Sequence, residues 1–390
     1  MRASRGWIRA GLGVALAALV ATALYARGAA SEDAAALRVG TSGDYVPFSH
    51  GQSERALPEG FDVTLIRAWA AERGREIVFV RFRWPRLLDD LEARRFDVAA
   101  SGITVRPERS AVGRFTVPVA ETEAWVLARS PEHSGSASLD RPQIRIAVNS
   151  GGHLEQVARA TFPNASLIAV PDNEAVIELL VEERVDAVVT DGAEAPHWEA
   201  RAGEPLARIG PLSRDRKAWL VRPDRPELAA DFDAWLQRRE ADGTLAALRS
   251  EWLGKNSAAT ADPLRALLAA IDERLALMPL VAVVKRRDGV PLVVPEREAL
   301  VIDRALEELR AEARRVGREP PHHARVRALF QAQLDAARQV QSRAVKDPDY
   351  QPEETPDLDG ALRPALLRIG ERQARLLLAL PPGLDAGAVR

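Results

Sequence analysis

The pattern of apolar positions changes character once along the chain. From residue 37 to about residue 253, short β-branched runs bounded by polar or turn residues alternate with stretches of helical spacing. The runs predict strands at 37–42, 76–82, 96–102, 144–148, 166–170 and 185–191. Helices are expected between them at 63–73, 87–94, 155–161 and 174–183. Alternation of this kind indicates an α/β fold with mostly parallel sheets.

The strand pattern ends at a small, hydrophilic linker, residues 255–262. Pro263 follows at the first position of a predicted helix, which is a position that proline prefers. Beyond it, apolar residues recur at helical spacing, namely Leu264, Leu267, Leu268, Ile271, Leu275 and Met278. Further helices are expected at 296–316, 322–344 and 359–379. The pattern therefore predicts an α/β domain at 31–254 and an all-α domain at 263–390.

Charge and composition narrow the range of functions. Lys and Arg (54) nearly balance Asp and Glu (56), and no basic stripe with interleaved aromatic residues is present. Nucleic acid is therefore not an expected partner. The 390 residues include no cysteine, which excludes disulfides, cysteine nucleophiles and lipid attachment through an N-terminal cysteine.

The first thirty residues have the pattern of a secretory signal peptide. Arg2, Arg5 and Arg9 precede an apolar run at 10–24, and small residues follow at 28–30. The run is shorter than the roughly 20 residues that a membrane-spanning helix needs, although an uncleaved anchor is the alternative. We expect residues 1–30 to be removed and the mature protein to be periplasmic or secreted, without stable membrane association.

The first domain resembles the periplasmic amino-acid-binding proteins at 37–50, 60–74, 96–109 and 115–118. The resemblance implies two α/β lobes, 37–128 with 217–254 and 129–216, that close over a ligand. It also implies that Arg109 binds a ligand carboxylate, for which a guanidinium offers two parallel donors. Asp191 stands where those proteins hold the ligand's ammonium group. A solvated surface arginine is the alternative interpretation of Arg109.

Within that group, three segments resemble the cyclohexadienyl dehydratases: RWPRL (83–87), VNSGG (148–152) and TDGAEA (190–195). The resemblance implies a substrate pocket that includes Asp44, Trp84 and Asn149, with Glu194 as the proton donor. Prephenate loses its ring carboxylate and a hydroxyl, and hydroxide leaves poorly unless an acid protonates it. Burial can keep a glutamic acid protonated near neutral pH. Glu194 could instead cap a helix or face solvent, and Trp84 could be an ordinary core residue.

Two positions depart from the dehydratase pattern. Ala124 stands where those enzymes carry a lysine, and His153 and Leu154 replace a Thr-Asn pair. The lysine is a charge in the cleft and the threonine contacts the ligand, so the departures put the substrate and the activity in question. The alternative is an amino-acid-binding or sensing module that has kept Arg109 and Asp191.

The helical domain carries cations at spacings that bring them together. Arg274 and Lys285 are eleven residues apart, about three helical turns, and so share a face. Arg297 and Glu298 open the next predicted helix, and Gln341 lies on the third. Buried cations are costly without anionic partners, so an inward-facing set indicates a ligand with several negative charges. A solvated helical tail is the alternative.

Four segments of this domain, 273–285, 291–298, 330–341 and 357–364, resemble the secreted all-α chorismate mutases. The resemblance implies that Arg274 and Arg297 bind carboxylates, Lys285 and Gln341 contact the ether oxygen, Glu298 contacts the ring hydroxyl, and Arg363 completes the site within one chain. The rearrangement of chorismate needs only positioning and positive charge at the oxygen of the breaking C–O bond.

Together the two resemblances predict a secreted bifunctional enzyme of phenylalanine biosynthesis. It would convert chorismate into prephenate, and then prephenate or arogenate into phenylpyruvate or phenylalanine. Neither reaction calls for a metal or an organic cofactor. A transport-associated binding protein with an inert helical tail would require the four helical segments to match by accident.

Overall fold

A computed structural model describes residues 36–51, 57–129, 135–254, 258–348, 350, 352 and 355–381. The expected signal peptide at residues 1–30 lies outside this part of the chain. Within it, no helix combines the length and the apolar character that a membrane span requires.

Fourteen strands lie in the described part of the α/β domain. They are β1 Leu37–Thr41, β2 Asp44–Tyr45, β3 Ser49–His50, β4 Ile77–Arg81, β5 Val98–Ala99, β6 Arg114–Phe115, β7 Ala120–Thr122, β8 Ala124–Ala128, β9 Arg145–Asn149, β10 Ser166–Val170, β11 Ala187–Asp191, β12 Ala207–Ile209, β13 Asp215–Lys217 and β14 Leu220–Val221.

Fourteen α-helices are described, nine in the α/β domain and five after it. They are α1 Phe61–Glu72, α2 Leu87–Glu92, α3 Pro107–Val112, α4 Ser136–Leu139, α5 His153–Thr161, α6 Asn173–Val181, α7 Ala195–Ala202, α8 Pro226–Ala241, α9 Thr244–Leu253, α10 Pro263–Ala276, α11 Met278–Arg287, α12 Pro295–Val316, α13 His323–Lys346 and α14 Arg363–Ala379. A single π-helical turn, Leu358–Leu362, precedes α14.

Two five-stranded sheets form the two lobes. The first has the order β4-β1-β5-β14-β6 and the second the order β10-β9-β11-β8-β12. The strands β1, β4 and β5 run parallel, as do β9, β10 and β11, while β14 and β8 pair antiparallel with their neighbours. A two-stranded ribbon of β7 and β13 joins the lobes. The expected two-lobed α/β fold followed by a helical bundle is confirmed.

The expected boundary between the lobes is wrong by one strand. Strand β8 was assigned to the first lobe, but it pairs with β11 and β12 in the second sheet. Its residues Ala124 and Ala128 lie opposite Asp191 and Ala187. The chain therefore crosses between lobes in the ribbon at 120–122. The apolar run at 124–128 is compatible with a buried strand in either sheet, so periodicity alone could not place it.

The helix expected to carry both Arg274 and Lys285 is divided. Helix α10 ends at Ala276 and α11 begins at Met278, with Pro279 in the first turn of α11. Proline has no N–H to donate to the carbonyl four residues earlier, so the ladder of helical hydrogen bonds is interrupted there. In the bundle, α10 packs against α14, and α11 packs against α13.

The hydrophobic core of the first lobe continues into the helical bundle. One buried cluster contains Trp219 and Trp235 of the lobe together with Leu267 and Ile369 of α10 and α14. A second, separate cluster fills the second lobe. The helical bundle is therefore packed against the first lobe through shared apolar burial, which is the main source of stability at such contacts.

A buried polar cluster accompanies this apolar contact. Glu273 of α10 accepts a hydrogen bond from Ser110 Oγ of α3 at 2.8 Å and forms an ion pair with Arg372 of α14. Arg372 also donates to the carbonyl oxygens of Phe115 and Thr116 in the first lobe. Both charged side chains are buried. Each polar group at this point therefore has a partner on the other domain or on the neighbouring helix.

Replacing Glu273 with alanine should destabilise the protein by about 3–5 kcal/mol, because Arg372 would stay buried without its counter-ion. The adjacent Asp272 is a matched control: its side chain is 56% exposed and pairs with Arg216 at 2.7 Å. Asp272→Ala should change stability by about 1 kcal/mol or less. Denaturant unfolding of the full chain measures both, and equal losses would contradict a structural role for the buried pair.

Candidate active sites

A cavity lies between the two lobes, beside the connecting ribbon. It encloses about 30 Å³ and is lined by Tyr45, Trp84, Thr104, Arg109, Asn149, His153, Asn173 and Lys217, among others. Trp84, Arg109 and Asn149 thus stand where the sequence placed them. Trp84 is also a core residue, since its ring packs edge-on against Phe82 and Tyr45. Both interpretations of this tryptophan therefore hold.

Arg109 is a buried cation without an acidic partner. Its side chain is 4% exposed, and Nη1 donates to the Thr104 carbonyl oxygen at 2.9 Å. Among the described residues, no carboxylate forms an ion pair with it. Burial, together with the neighbouring Arg106, lowers the pKa of Arg109 to about 9. A solvated surface arginine is therefore excluded, and an anion entering the cavity would satisfy this guanidinium.

Glu194 is buried and does not itself line this cavity, but it is hydrogen-bonded to Asn173, which does. It is 1% exposed, and its two oxygens accept hydrogen bonds at 2.7 Å from Asn173 Nδ2 and Thr190 Oγ1. Burial raises the pKa of Glu194 well above its usual range, and the nearby Asp191 and Asp44 raise it further. Its side chain makes no capping bond to helix α7. Burial therefore favours the protonated form of Glu194, and its side chain is neither a helix cap nor a solvated group.

Asp44, in β2 of the first lobe, does not line the cavity. Its Oδ1 accepts a hydrogen bond from Trp84 Nε1 at 3.1 Å, and its carbonyl oxygen accepts one from Asn173 Nδ2 at 3.0 Å. Burial raises the pKa of this aspartate. Asp44 thus fixes the ring of Trp84 and the amide of Asn173, both of which do line the cavity.

Asp191 is paired with Lys217, a residue that the sequence analysis missed. The Lys217 Nζ lies 3.0 Å from Asp191 Oδ2, and both side chains are fully buried. Lysine is scarce in this chain, at four residues out of 54 Lys and Arg, which is a signal that could have drawn attention to Lys217. Ala124, where a lysine was expected, is buried in β8 and does not line the cavity.

His153 lines the cavity from the second lobe and contacts the ribbon. Its Nε2 lies 2.7 Å from Asp215 Oδ1. Burial lowers the pKa of His153, although the aspartate acts in the opposite direction. The contact ties the start of α5 to β13, so this departure from the dehydratase pattern has a partner of its own across the cleft.

A larger cavity of about 370 Å³ lies inside the helical bundle. All six residues expected there line it, namely Arg274, Lys285, Arg297, Glu298, Gln341 and Arg363. The divided helix still presents Arg274 and Lys285 to this common space. Arg304, Glu308 and Arg338 also line it and were not anticipated. A solvated helical tail is therefore excluded, because the cations face a shared interior.

Burial lowers the pKa of several cations in this cavity, and two of them are lowered further by neighbouring arginines. Burial lowers the pKa of Arg274 to about 10. Burial and the charges of Arg363 and Arg297 lower the pKa of Lys285. Its Nζ donates a hydrogen bond to the Leu292 carbonyl oxygen at 2.7 Å. Burial and the charges of Arg363 and Arg304 lower the pKa of Arg297. Such mutual repulsion would be relieved by a ligand with two negative charges.

Two polar side chains hold defined positions among these cations. Glu298 accepts a hydrogen bond from Arg338 Nε at 2.9 Å, and the two form an ion pair. Gln341 Nε2 contacts the Met278 sulfur at 3.2 Å, while its buried Oε1 has no hydrogen-bond partner in the described part of the chain. An unpaired buried amide oxygen is costly, which marks Gln341 as a group that a ligand would engage.

The fold and the two cavities define a two-lobed solute-binding domain joined to a helical domain with a polycationic interior. Residues 37–255 match the bacterial extracellular solute-binding proteins, family 3, and residues 265–342 match chorismate mutase type II. The chain belongs to the family 3 solute-binding proteins and carries a chorismate mutase type II domain after that domain. Arg363 lies beyond the matched part of the mutase.

Named relatives of the first domain include an enzyme and several binding proteins. The cyclohexadienyl dehydratase of Pseudomonas aeruginosa is 31% identical over 223 residues, covering 56% of this chain and 82% of that protein. An arginine-binding protein of an Escherichia coli ABC transporter is 26% identical over 61% of this chain and 97% of its own length. The first domain is thus homologous to both kinds of protein.

One similar solved structure is related by its description to both the amino-acid-binding proteins and the dehydratase. It is an ancestral amino-acid-binding protein described as a precursor of cyclohexadienyl dehydratase, 29% identical to this chain. The match covers 56% of this chain and 95% of that protein, with a TM-score of 0.51. The likeness is confined to the two-lobed domain.

The pKa of Glu308 generates a prediction about pH. Burial and the neighbouring Glu371 raise the pKa of Glu308 to about 7, so this group loses its proton as pH rises from 6 to 8. The new negative charge would repel a dianion and compete with it for Arg274. We expect the KM for chorismate to rise by about three- to tenfold across this interval.

Substitution with glutamine isolates this effect. Glu308→Gln should remove the rise in KM, whereas the exposed neighbour Glu307→Gln should leave it in place. Steady-state kinetics with chorismate at pH 6, 7 and 8 provide the measurement. A Glu308→Gln protein that retained the full pH dependence would show that another group titrates.

Proposed function

We propose that the protein is an exported bifunctional enzyme of phenylalanine biosynthesis. The helical domain would convert chorismate into prephenate, and the two-lobed domain would convert prephenate or arogenate into phenylpyruvate or phenylalanine. The observation that carries the second step is a buried Glu194, whose pKa burial raises, hydrogen-bonded to Asn173 of a cavity that Arg109 also lines.

The mutase step follows from the charge of the helical cavity. Arg274 and Arg297 would hold the two carboxylates of chorismate, with Arg363 closing the site. Lys285 and Gln341 would lie at the ether oxygen, where negative charge develops as the C–O bond breaks. The rearrangement is intramolecular, so catalysis consists of holding the enolpyruvyl group over the ring and stabilising this charge.

The dehydratase step needs one proton at one atom. The bond from the ring to its carboxylate breaks and CO2 leaves, so the bonding electrons enter the ring and expel the hydroxyl at the opposite carbon. Glu194 gives its proton to that hydroxyl, which departs as water, and solvent later restores the proton. Formation of the aromatic ring drives the step.

The size of the first cavity requires movement of the lobes. A volume of about 30 Å³ admits a water molecule but not a ten-carbon ligand. Substrate would therefore enter when the lobes separate about the ribbon of β7 and β13. Closure would then bring Asn149 and Asn173 of the second lobe against the ring held by Arg109 and Trp84 of the first.

The site of action follows from the family and from the N-terminus. Family 3 solute-binding proteins are extracellular, and residues 1–30 have the pattern of a signal peptide. We propose that residues 1–30 are removed during export and that the mature enzyme works in the periplasm or outside the cell.

The second candidate is an amino-acid-binding or sensing domain fused to an active mutase. It is favoured by the relatives that bind amino acids and by the carboxylate-binding Arg109 that such a domain would keep. Incubating the mature protein with prephenate separates the two candidates. Phenylpyruvate formation supports the dehydratase, while tight amino-acid binding without turnover supports the sensor.

Lys285→Ala should lower the kcat of the mutase step by about 10²–10³-fold, because it removes a cation directed at charge that exists only in the transition state. Lys346, exposed at the end of α13 outside the cavity, is the matched control. Chorismate consumption by the two alanine variants provides the comparison. A Lys285→Ala enzyme with the wild-type rate would remove this residue from the site.

Glu194→Gln should lower phenylpyruvate formation by about 10²–10⁴-fold, since glutamine keeps the shape but cannot donate a carboxylic proton. Mutase activity in the same chain should be unchanged, which reports that the protein is folded. The wild-type rate should fall as pH rises through the raised pKa of Glu194, because the protonated form is depleted.

Glu199 of helix α7, which pairs with Arg208, offers the control substitution. Glu199→Gln should keep the wild-type dehydratase rate. The proposal fails if wild-type protein binds prephenate and never yields phenylpyruvate.

A further inference from the structure

The residue expected to meet a ligand's ammonium group in the first domain is already paired within the chain. The resemblance to amino-acid-binding proteins implies that this residue is Asp191. Here the Lys217 ammonium lies 3.0 Å from Asp191 Oδ2, and the two side chains are 2% and 0% exposed. The pair lies between the lobes, where Lys217 lines the cavity.

Asp191 has little capacity left to accept a further hydrogen bond. Its Oδ2 also accepts from Thr122 Oγ1 at 2.7 Å, and its Oδ1 accepts from the Ala193 backbone N–H at 2.9 Å. An incoming ammonium group would have to displace Lys217, which would leave this buried cation without its acidic partner.

Lys217 is held by several groups rather than by the aspartate alone. Its three N–H bonds reach Asp191, Thr104 Oγ1 at 2.8 Å and Tyr45 OH at 3.2 Å. The rings of Tyr45 and Phe48 lie 5.5 and 5.9 Å from Nζ, within cation–π distance. These contacts come from β2 and the residues after it, from the loop before α3 and from the end of β11, so the ammonium position is fixed by segments of both lobes.

The two possible substrates of the dehydratase step differ at one group. Prephenate carries a keto oxygen on its side chain, whereas arogenate carries an ammonium group at the same carbon. The Asp191–Lys217 pair has no net charge, so it offers nothing to a positive ligand group, while Arg109 still attracts the carboxylates. A buried ammonium without a counter-ion is costly, and a keto group is not.

We propose that Lys217 acts as a built-in ammonium group that selects 2-oxo acids over amino acids in the two-lobed site, so that prephenate is favoured over arogenate. The inference rests on the proposed dehydratase function for its substrates but not for its test, because binding can be measured without turnover.

The first measurement compares kcat/KM of the full-length enzyme for prephenate and for arogenate. We expect a preference of about tenfold or more for prephenate. In parallel, calorimetry should show that the wild-type protein binds phenylpyruvate more tightly than L-phenylalanine, which differ by the same keto-to-ammonium change. Equal kcat/KM values for prephenate and arogenate, together with equal affinities for phenylpyruvate and L-phenylalanine, would overturn the inference.

The second measurement uses Lys217→Met, which keeps the length of the side chain and frees Asp191. The preference for the oxo acid should narrow by about tenfold, and L-phenylalanine should bind more tightly. In Lys217→Met combined with Asp191→Asn, the gain in amino-acid binding should disappear, because the freed carboxylate is gone. Unchanged mutase activity reports folding of each variant.

The outcomes separate the two claims. If the wild-type protein turns over neither substrate, the dehydratase function is contradicted. The ratio of the affinities for phenylpyruvate and L-phenylalanine, measured in the wild type and in Lys217→Met, then still tests the role of Lys217. A Lys217→Met protein with unchanged selectivity between oxo acid and amino acid would overturn the role of Lys217 while leaving the dehydratase intact.

Discussion

The buried contact of Glu273 with Arg372 and Ser110 holds the two domains in one arrangement. Its partners are sequence neighbours of residues in the two cavities, since Ser110 follows Arg109 and Glu273 precedes Arg274. Removing one partner of a buried ion pair is strongly destabilising, so this cluster specifies how α3, α10 and α14 meet. Both candidate sites are built on helices that this contact positions.

Burial of unbalanced positive charge is the feature that the two cavities share. Arg109 in the first and Arg274 in the second are nearly inaccessible to solvent, and burial lowers the pKa of each. A protein gains nothing in stability from such groups in isolation. The presence of such buried cations in both domains is explained if each cavity binds an anionic ligand. The proposed substrates, chorismate and prephenate, are both anions.

Local patterns in the sequence predicted most of the fold and much of the candidate chemistry. The alternating strands and helices rest on spacing, and the six residues of the mutase cavity rest on the resemblance of short segments to the chorismate mutases. Long-range pairing was not predictable. Lys217 meets Asp191 across 26 positions, and β8 joins one sheet rather than the other through partners at 187–191 and 207–209. Pro279 was visible, but its effect on the ladder of helical bonds shows only in three dimensions.

Helix α14 contacts the first lobe through some of its side chains and lines the mutase cavity with others. Arg368 and Arg372 reach carbonyl groups of the first lobe, while Leu366, Leu367 and Gly370 of the same helix form part of the wall of the mutase cavity. A substitution on this helix can therefore change both the packing between the two domains and the shape of the mutase cavity. In evolutionary terms the fusion is difficult to reverse, since a gene split that released the helical domain would expose a row of arginines adapted to a partner that was no longer there.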